Sequence, residues 1–266
     1  MQTGAKFLIF GNGWISGQIQ DILKGKSEHY HVSKVRLEDR ETVLRELKEV
    51  QPTHVINAAG VRGTPNVDWC EDHKEETIRA NVVGATNLVD CCFLLGIHVT
   101  HFSSGCIYDY NETHQPGGDP YTEHDEPNFD RSFYSKTKIV SEKASHLSPF
   151  HFESGTICPN LLPGAVILAK NRETGLYNFT NPGAFTLSEA MQLIKKHLRP
   201  SLSWSTFSLE EQAQILKAPR CNLEMDSSKA VQKLKSYNYE VLECHEAMDQ
   251  MFSEMRAKSI GVDDVK

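Results

Sequence analysis

The stretch that decides the fold is KFLIFGNGWISG, residues 6–17. Its first half is a short apolar run, the pattern of a parallel strand that is buried on both faces. Gly11 and Gly13 follow at once, and apolar residues at helical spacing begin at Ile15. The stretch therefore predicts a strand, a tight glycine turn and a helix. At such a turn the backbone can approach a pyrophosphate, whose charge the helix N-terminus favours.

The residues that follow this turn alternate between strand and helix patterns. We expect strands over 31–35, 54–57 and 97–103, and helices over 14–23, 41–50 and 74–95. This alternation predicts the α/β class, with a Rossmann-type doubly wound parallel sheet. In that setting the glycine turn indicates a dinucleotide site, although an ordinary strand-to-helix turn can carry the same glycines.

The second half of the chain differs in character. Residues 108–130 are rich in Gly, Pro, Asp and Asn and predict a long loop, which in compact domains is usually functional. Amphipathic helices are expected over 132–147, 188–198, 209–217, 227–234 and 245–255. We therefore predict a dinucleotide-binding domain over 1–160, a small, mainly helical substrate-side lobe over 161–255, and a frayed tail over 256–266.

Composition excludes several classes of protein. The chain has 266 residues, 39% of them hydrophobic, and a formal net charge of −7. It therefore suits a globular fold, and it lacks the positive field that nonspecific nucleic-acid binding needs. We expect no membrane segment and no secretory signal, and hence a cytoplasmic location. The seven cysteines include no CxxC pair and the twelve histidines no HExxH motif, so we expect reduced thiols and no metal.

A serine, a tyrosine and a lysine suggest the chemistry. Ser104 ends the fourth predicted strand, at the sheet edge where α/β proteins place their sites. Tyr134 and Lys138 are four residues apart on a predicted helix and so share one face. The lysine cation is expected to lower the pKa of the phenol, so that Tyr134 can pass a proton to a carbonyl oxygen held by Ser104. A partly buried tyrosine beside a solvated lysine is the alternative.

These motifs together resemble the extended short-chain dehydrogenase/reductases. More narrowly, the chain resembles the bifunctional UDP-4-keto-6-deoxyglucose 3,5-epimerase/4-reductases of UDP-L-rhamnose synthesis, and more distantly dTDP-4-dehydrorhamnose reductase. The matching segments are residues 65–71 (PNVDWCE), 105–110 (GCIYDY), 132–138 (SFYSKTK), 177–183 (YNFTNPG) and 220–226 (RCNLEMD). The resemblance implies NADPH-dependent reduction of a nucleotide-linked 4-keto-6-deoxyhexose, with 3,5-epimerisation in the same site, and a possible homodimer.

The resemblance also implies roles for individual residues. The implied cofactor-binding residues are Gly11, Asn12, Gly13, Trp14, Ile15, Arg36, Asn57, Ala58, Ala59, Gly60 and Asn81. Lys34 and Arg36 replace the usual acidic residue after the second strand, which suits the 2′-phosphate of NADPH; a solvated basic edge, with NADH as cofactor, is the alternative. The implied substrate-binding residues are Arg62, Asn66, Trp69, Arg220 and Asn222. Asp68 and Trp69 either line the sugar pocket or belong to the core.

Cys106 has a catalytic interpretation through the same resemblance. As in GDP-fucose synthase, it stands two residues after the strand-end serine, where a thiolate could remove the acidic proton beside the 4-keto group. A small packing cysteine is the alternative. For Cys91, Cys92, Cys158, Cys221 and Cys244 we expect packing roles.

Two departures from the family pattern affect the prediction. The glycine turn is one residue tighter than the usual GxxGxxG. In addition, a strand and an acid partner for the epimerase cysteine should follow the helix of Tyr134, but only residues 148–160 stand there. We therefore expect a segment to be missing after Leu147, so that a late strand is absent and 3,5-epimerisation is impaired even where reduction survives. His151 is the only imidazole nearby, and we assign it no role. A catalytically impaired isoform or a regulatory protein of the same fold is the alternative function.

Overall fold

A parallel sheet forms the centre of the molecule. The computed structural model describes residues 4–145, 150–152 and 157–262. Within these ranges six strands, all paired in parallel, lie in the order β2-β1-β3-β4-β5-β6. They are β1 (Lys6–Phe10), β2 (His29–Val32), β3 (His54–Asn57), β4 (His98–Phe102), β5 (Phe150–Phe152) and β6 (Gly175–Tyr177). The prediction of a doubly wound α/β sheet is confirmed.

Eleven α-helices accompany these strands in the described ranges. They are α1 (Trp14–Gly25), α2 (Arg40–Val50), α3 (Trp69–Asp72), α4 (Lys74–Ile78), α5 (Ala85–Leu94), α6 (Phe133–Ser145), α7 (Cys158–Lys170), α8 (Leu187–His197), α9 (Leu209–Ile215), α10 (Ser228–Ser236) and α11 (Cys244–Ala257). The long helix expected over 74–95 is instead interrupted, because a π-helical segment, Arg79–Gly84, joins α4 to α5. None of the described helices has the length and apolar character needed to span a bilayer.

Strand β1 shows why an unbroken apolar run is needed at the centre of the sheet. Leu8 and Phe10 pack on one face, in a cluster that includes residues of α2 and α5. Phe7 and Ile9 pack on the other face, in a cluster that includes residues of α1 and α7. All four side chains are completely buried. Because successive side chains point to opposite faces, a strand covered on both sides has no solvent-facing position for a polar residue.

The structure corrects the expected end of the sheet. A three-residue strand, β5, pairs with β4 and β6 at the place where a late strand was expected to be absent. The segments 146–149 and 153–156 on either side of it, including Leu147, lie outside the described residues, as does the side chain of His151. Sequence periodicity missed β5 because so short a strand shows no pattern of its own.

The domain boundaries also differ from those expected at 160 and 256. Residue 160 lies inside α7, which packs on α1, and β6 completes the sheet beyond it. We therefore propose that the substrate-side lobe begins after β6. Helix α11 continues to Ala257, so the expected tail begins with helical residues, and 263–266 lie outside the described residues.

Two buried histidines predict acid sensitivity of the fold. His54 and His98 are the first residues of β3 and β4, and their rings meet edge to face at 5.7 Å. The pKa of each is lowered to about 4, mainly by burial and to a smaller extent by neighbouring positive charge, chiefly that of Arg172 for His54 and of His54 for His98. Both therefore fold as neutral rings. In the unfolded chain their pKa returns to about 6.5, so that state binds more protons between pH 6.5 and 4.

We expect the free energy of unfolding to fall as the pH drops through that window, by on the order of 3 kcal/mol per histidine. Urea denaturation at several pH values measures the loss. The double variant His54→Gln/His98→Gln should flatten the dependence, whereas His29→Gln, at an exposed histidine of β2, should leave it unchanged. Equal slopes above pH 4.5 for the double variant and the parent chain would show that these rings are not responsible.

Candidate functional site

The first element of the site is a cavity at the carboxyl edge of the sheet, at the point where the strand order reverses. Strand β1 lies between β2 and β3, so the connections from its carboxyl end and that of β3 leave the sheet on opposite sides. The crevice between them has a volume of about 490 Å³. Its lining consists of Gly11, Asn12, Gly13, the segment from Val32 to Glu38, Ala58, Ala59, Gly60, Val61 and Ala80.

The glycine turn has the backbone that a dinucleotide requires. Gly11 has φ of +103°, and a Cβ there would lie 2.6 Å from the backbone carbon of Ala58, so that only glycine lets β1 and β3 approach so closely. Helix α1 begins directly after Gly13, with no side-chain cap and no acidic residue in its first turn. Its free N–H groups beside the cavity therefore fit a pyrophosphate.

Four of the predicted cofactor residues do not line this cavity. Trp14 is 64% exposed, while Ile15 packs on the core cluster beneath α1. The Asn57 amide hydrogen-bonds to His101 at 2.9 Å and accepts from the Ala59 backbone N–H at 3.1 Å. Asn81, in the π-helical segment, accepts from the Val61 N–H at 2.7 Å and donates to the Val61 carbonyl at 2.8 Å. The two asparagines thus fix the loop that follows β3.

The basic edge of this cavity carries a carboxylate that the sequence analysis did not consider. Arg36, whose side chain is 74% exposed, forms an ion pair with Glu38 at 2.8 Å. Burial alone would raise the pKa of Glu38, but hydrogen bonds from its own backbone and from Arg36 lower it overall. Lys34 lines the same edge. Two cations against one carboxylate leave net positive charge where a 2′-phosphate would lie.

Ser104, Tyr134 and Lys138 come together at the carboxyl edge of β4. The hydroxyl groups of Ser104 and Tyr134 are hydrogen-bonded, and Lys138 Nζ lies 5.8 Å from the centre of the Tyr134 ring. Lys138 is buried, and its Nζ would lie 3.5 Å from a Cβ on Gly60. The lysine therefore connects the tyrosine with the loop that lines the first cavity.

The protonation state of Tyr134 differs from the expectation. Burial raises the pKa of Tyr134 to about 12, against the lowering effect of the Ser104 hydrogen bond and of the Arg62 charge. The prediction that the lysine gives this phenol a lowered pKa is therefore wrong, because desolvation of the phenolate outweighs the effect of nearby positive charge. Tyr134 consequently holds its proton at neutral pH, as a general acid must.

Cys106 shares the same serine and contacts a second cysteine. The Ser104 hydroxyl accepts from the Cys106 backbone N–H at 3.2 Å. A hydrogen bond with the Cys221 thiol lowers the pKa of Cys106 to about 6; desolvation opposes this, while Ser104 and the Arg220 charge assist it. The hydrogen bond with Cys106, together with burial, raises the pKa of Cys221. The packing role expected for Cys221 therefore includes contact with Cys106.

Two further cavities have Tyr110 and Asn222 in common, and Cys106 lines the first of them. One, of about 730 Å³, is lined by Cys106, Tyr110, Cys221 and Asn222 together with residues 183–187 and Glu189. The other, of about 630 Å³, is lined by Tyr110, Arg131, Arg220, Asn222 and residues of α9. We call them the cysteine cavity and the α9 cavity. Asn222 borders both cavities, whereas Arg220 lines only the α9 cavity.

The three substrate candidates of the loop before α3 line neither of these cavities. Arg62 is exposed, and Asn66 accepts a hydrogen bond from the Asp68 N–H at 2.8 Å, which closes a local turn. Trp69 stacks on His73 with the ring centres 3.8 Å apart. Asp68 contacts the C-terminal lobe, since it accepts from Arg220 at 3.0 Å and from the Ala218 N–H at 3.0 Å. It is Asp68 that holds the candidate Arg220 in place.

One positioning residue was missed by the sequence analysis. Glu71 accepts a hydrogen bond from the backbone N–H of Phe133 at 2.7 Å, at the first residue of α6. Ser132 accepts from the Ser135 N–H at 3.0 Å at the same helix end. Together they satisfy N–H groups of the turn that carries Tyr134. Ser132 was recognisable as a local cap, but nothing local in the sequence links Glu71 to this helix.

Comparison with known proteins identifies relatives of the chain. Residues 17–148 match the NAD dependent epimerase/dehydratase family. The chain is 37% identical over 287 residues to the bifunctional dTDP-4-dehydrorhamnose 3,5-epimerase/dTDP-4-dehydrorhamnose reductase of Arabidopsis thaliana, a match that covers 95% of this chain and 94% of the relative. It is 41% identical to the trifunctional UDP-glucose 4,6-dehydratase/UDP-4-keto-6-deoxy-D-glucose 3,5-epimerase/UDP-4-keto-L-rhamnose-reductase RHM1 of the same plant, over 84% of this chain. The chain spans 39% of the length of that trifunctional relative.

Solved structures agree with this assignment. The L780 UDP-rhamnose synthase of Acanthamoeba polyphaga mimivirus superposes with a TM-score of 0.86 and 28% identity, covering 95% of this chain and all of that one. The dTDP-4-dehydrorhamnose reductase of Bacillus anthracis, solved in complex with NADP, has the same fold, with a TM-score of 0.76 and 16% identity over 95% of this chain and all of that one. This chain therefore belongs to the NAD dependent epimerase/dehydratase family, in the group of the rhamnose-forming epimerase/reductases.

Proposed function

We propose that this chain reduces a nucleotide-linked 4-keto-6-deoxyhexose with NADPH and gives a nucleotide-L-rhamnose. The observation that carries the proposal is the meeting of Ser104, Tyr134, Lys138 and Cys106 at one sheet edge. Gly60, which lies beside Lys138, lines the cavity of the glycine turn, and Cys106 lines the cysteine cavity. The activities named for the plant and viral relatives support the same reaction.

The reduction needs a proton donor opposite the incoming hydride. The bound cofactor would lie along the glycine turn and supply the hydride to the C4 carbonyl carbon. Tyr134, protonated at neutral pH, gives its hydroxyl proton to the carbonyl oxygen, which Ser104 orients by a hydrogen bond. Lys138 favours the phenolate that remains, because its cation lies beside the ring. The positive edge formed by Lys34 and Arg36 supports NADPH as the cofactor over NADH.

Epimerisation needs a base next to the keto group and an acid on the other face. Cys106, with a pKa of about 6, is a thiolate at neutral pH and is suited to remove the proton at C3 or C5. Among the described residues that line the cysteine cavity there is no lysine or histidine to return a proton. We propose that 3,5-epimerisation proceeds through Cys106 and is slower than reduction.

Assays with two different substrates distinguish reduction from epimerisation. With UDP-4-keto-L-rhamnose, which needs reduction only, we expect rapid consumption of NADPH, followed by its absorbance. With UDP-4-keto-6-deoxy-D-glucose in deuterated water we expect slower consumption and deuterium at C3 and C5 of the product, measured by NMR. No consumption with either substrate would contradict the proposed function, and rapid turnover of the second at the rate of the first would contradict the slow epimerisation.

A second candidate is a cofactor-binding or regulatory protein without turnover. The match with the bifunctional relative extends over 287 residues, more than the 266 residues of this chain, so the relative carries residues that have no counterpart here. That deficit favours impaired catalysis. Tight binding of NADPH, measured by calorimetry, with no consumption on either substrate would identify this case. A cytoplasmic location and a homodimer stay predictions.

A further inference from the structure

Two cysteines from distant parts of the chain share a hydrogen bond in the cysteine cavity. Cys106 follows β4 on the sheet side, whereas Cys221 stands between α9 and α10 in the C-terminal lobe. Their thiols are hydrogen-bonded, and both line the cavity. Neither takes part in a disulfide. A disulfide between them would require the two sulfurs to approach to about 2.05 Å.

Hydrogen bonds just C-terminal to both cysteines hold the two segments together. The Tyr110 N–H donates to the Asn222 carbonyl at 2.8 Å, and the Asn222 N–H donates to Asp109 Oδ1 at 2.9 Å. Farther along, the Tyr121 N–H donates to the Glu224 carbonyl at 2.8 Å. Because these bonds connect the neighbours of both cysteines, the two sulfurs are kept close without a covalent link.

Cys106 also differs from the other six cysteines in reactivity. It is the exposed one, while the others are buried or half-buried. The pKa of Cys106 is lowered, and the pKa values of all the others are raised, in each case with burial among the causes. An accessible thiolate with a second thiol beside it is the arrangement of oxidisable cysteine pairs, in which one sulfur reacts first and the other resolves the product.

We propose that Cys106 and Cys221 form a reversible disulfide on reaction with a hydroperoxide. This bond prevents Cys106 from acting as a base in the cysteine cavity. The Cys106 thiolate attacks one peroxide oxygen, the O–O bond breaks, and the leaving hydroxide takes up a proton to become water. Cys106 is thereby oxidised to a sulfenic acid. The Cys221 sulfur then attacks the Cys106 sulfur, the S–O bond breaks, and the hydroxide leaves as water with the Cys221 proton. Two thiols and one hydrogen peroxide thus give one disulfide and two waters.

The bond would remove the Cys106 thiolate from the cavity and tie the C-terminal lobe to the sheet edge. The resulting loss of epimerisation rests on the function proposed above, whereas disulfide formation itself does not. A dithiol reductant reverses the reaction by thiol–disulfide exchange, and the reduced pair returns.

Peptide mapping tests the disulfide independently of turnover. The purified chain is treated with hydrogen peroxide, its remaining thiols are blocked, and chymotrypsin, which cuts after Phe102 and Tyr108, releases a Cys106 peptide that carries no other cysteine. We expect this peptide linked to the one that contains Cys221, with a mass lower by two hydrogens than the sum of the free peptides. Dithiothreitol should separate them. A Cys106 peptide that is recovered unlinked, whether reduced or oxidised to the sulfinic acid, would overturn the proposal.

Two variants sharpen the test. In Cys221→Ser the reaction should stop at the sulfenic acid, which a dimedone-type probe traps at Cys106. In Cys158→Ser, at a half-buried cysteine outside the pair, the disulfide should form as in the parent chain. After peroxide, deuterium incorporation at C3 and C5 should fall at least tenfold in the parent chain and recover with dithiothreitol. An equal yield of cross-link without Cys221 would overturn the proposal, and a cross-link without loss of deuterium incorporation would refute the switch.

Discussion

Replacing Tyr134 by phenylalanine should lower the rate of NADPH consumption with UDP-4-keto-L-rhamnose by about 10²- to 10⁴-fold, the usual contribution of a positioned general acid. The variant keeps the ring beside Lys138 and loses only the hydroxyl that bonds Ser104. Binding of NADPH should change little, because Tyr134 does not line the cavity of the glycine turn. Steady-state rates and calorimetric titration measure the two effects.

Another tyrosine supplies the control. Tyr177 of β6 is buried, and its pKa, like that of Tyr134, is raised to about 12, in this case by burial and by the charge of Glu173. The Tyr177→Phe variant should have a lower free energy of unfolding and an unchanged rate of NADPH consumption. If Tyr134→Phe consumes NADPH as fast as the parent chain, or if both variants lose activity equally, then Tyr134 is not the proton donor.

Replacing Gly11 by alanine should have the largest effect on stability. The backbone there has φ of +103°, and the added Cβ would lie 2.6 Å from the backbone of both Ala58 and Ala59. The substitution should lower the free energy of unfolding by about 3 kcal/mol, because it strains the backbone and because a clash with backbone atoms cannot be relieved by moving a flexible side chain. Since β1 and β3 would move apart at the pyrophosphate site, binding of NADPH should weaken at least tenfold.

The neighbouring glycine is the matched control for this substitution. Gly13 has φ of −91°, and a Cβ there would meet no atom within 4 Å. Gly13→Ala should therefore keep its unfolding free energy within about 0.5 kcal/mol of the parent chain. Thermal melting and urea denaturation compare the two variants. If the Gly11→Ala variant has the same melting temperature as the parent chain, the turn does not have the geometry described above.

The hydrogen bond between Glu71 and α6 and the ion pair between Asp68 and Arg220 show how the loop before α3 serves the site. The predicted contact residues Arg62, Asn66 and Trp69 line none of the three cavities described above. Instead, Glu71 of α3 holds the helix of Tyr134, and Asp68 of the loop holds Arg220. The resemblance implies substrate contact for this segment, whereas its hydrogen bonds in the structure give it a positioning role.

The amino-acid sequence by itself determined the elements and the chemistry. The apolar run before Gly11, the glycine turn and the four-residue spacing of Tyr134 and Lys138 are local patterns. Near-neighbour sterics and helix periodicity convert such patterns into a strand, a turn and a shared helix face wherever the chain folds. The parallel sheet followed from their alternation, and the family from the motifs.

Tertiary structure alone decided which distant side chains meet. Cys106 reaches Cys221, Glu71 reaches the start of α6, and Asp68 reaches Arg220, through contacts that span 115, 62 and 152 residues of sequence respectively. The pKa of Tyr134 and the presence of β5 are likewise decided by tertiary structure. Each depends on how deeply a group is buried and on which loop crosses it, and these are properties of the packed chain that no local spacing encodes.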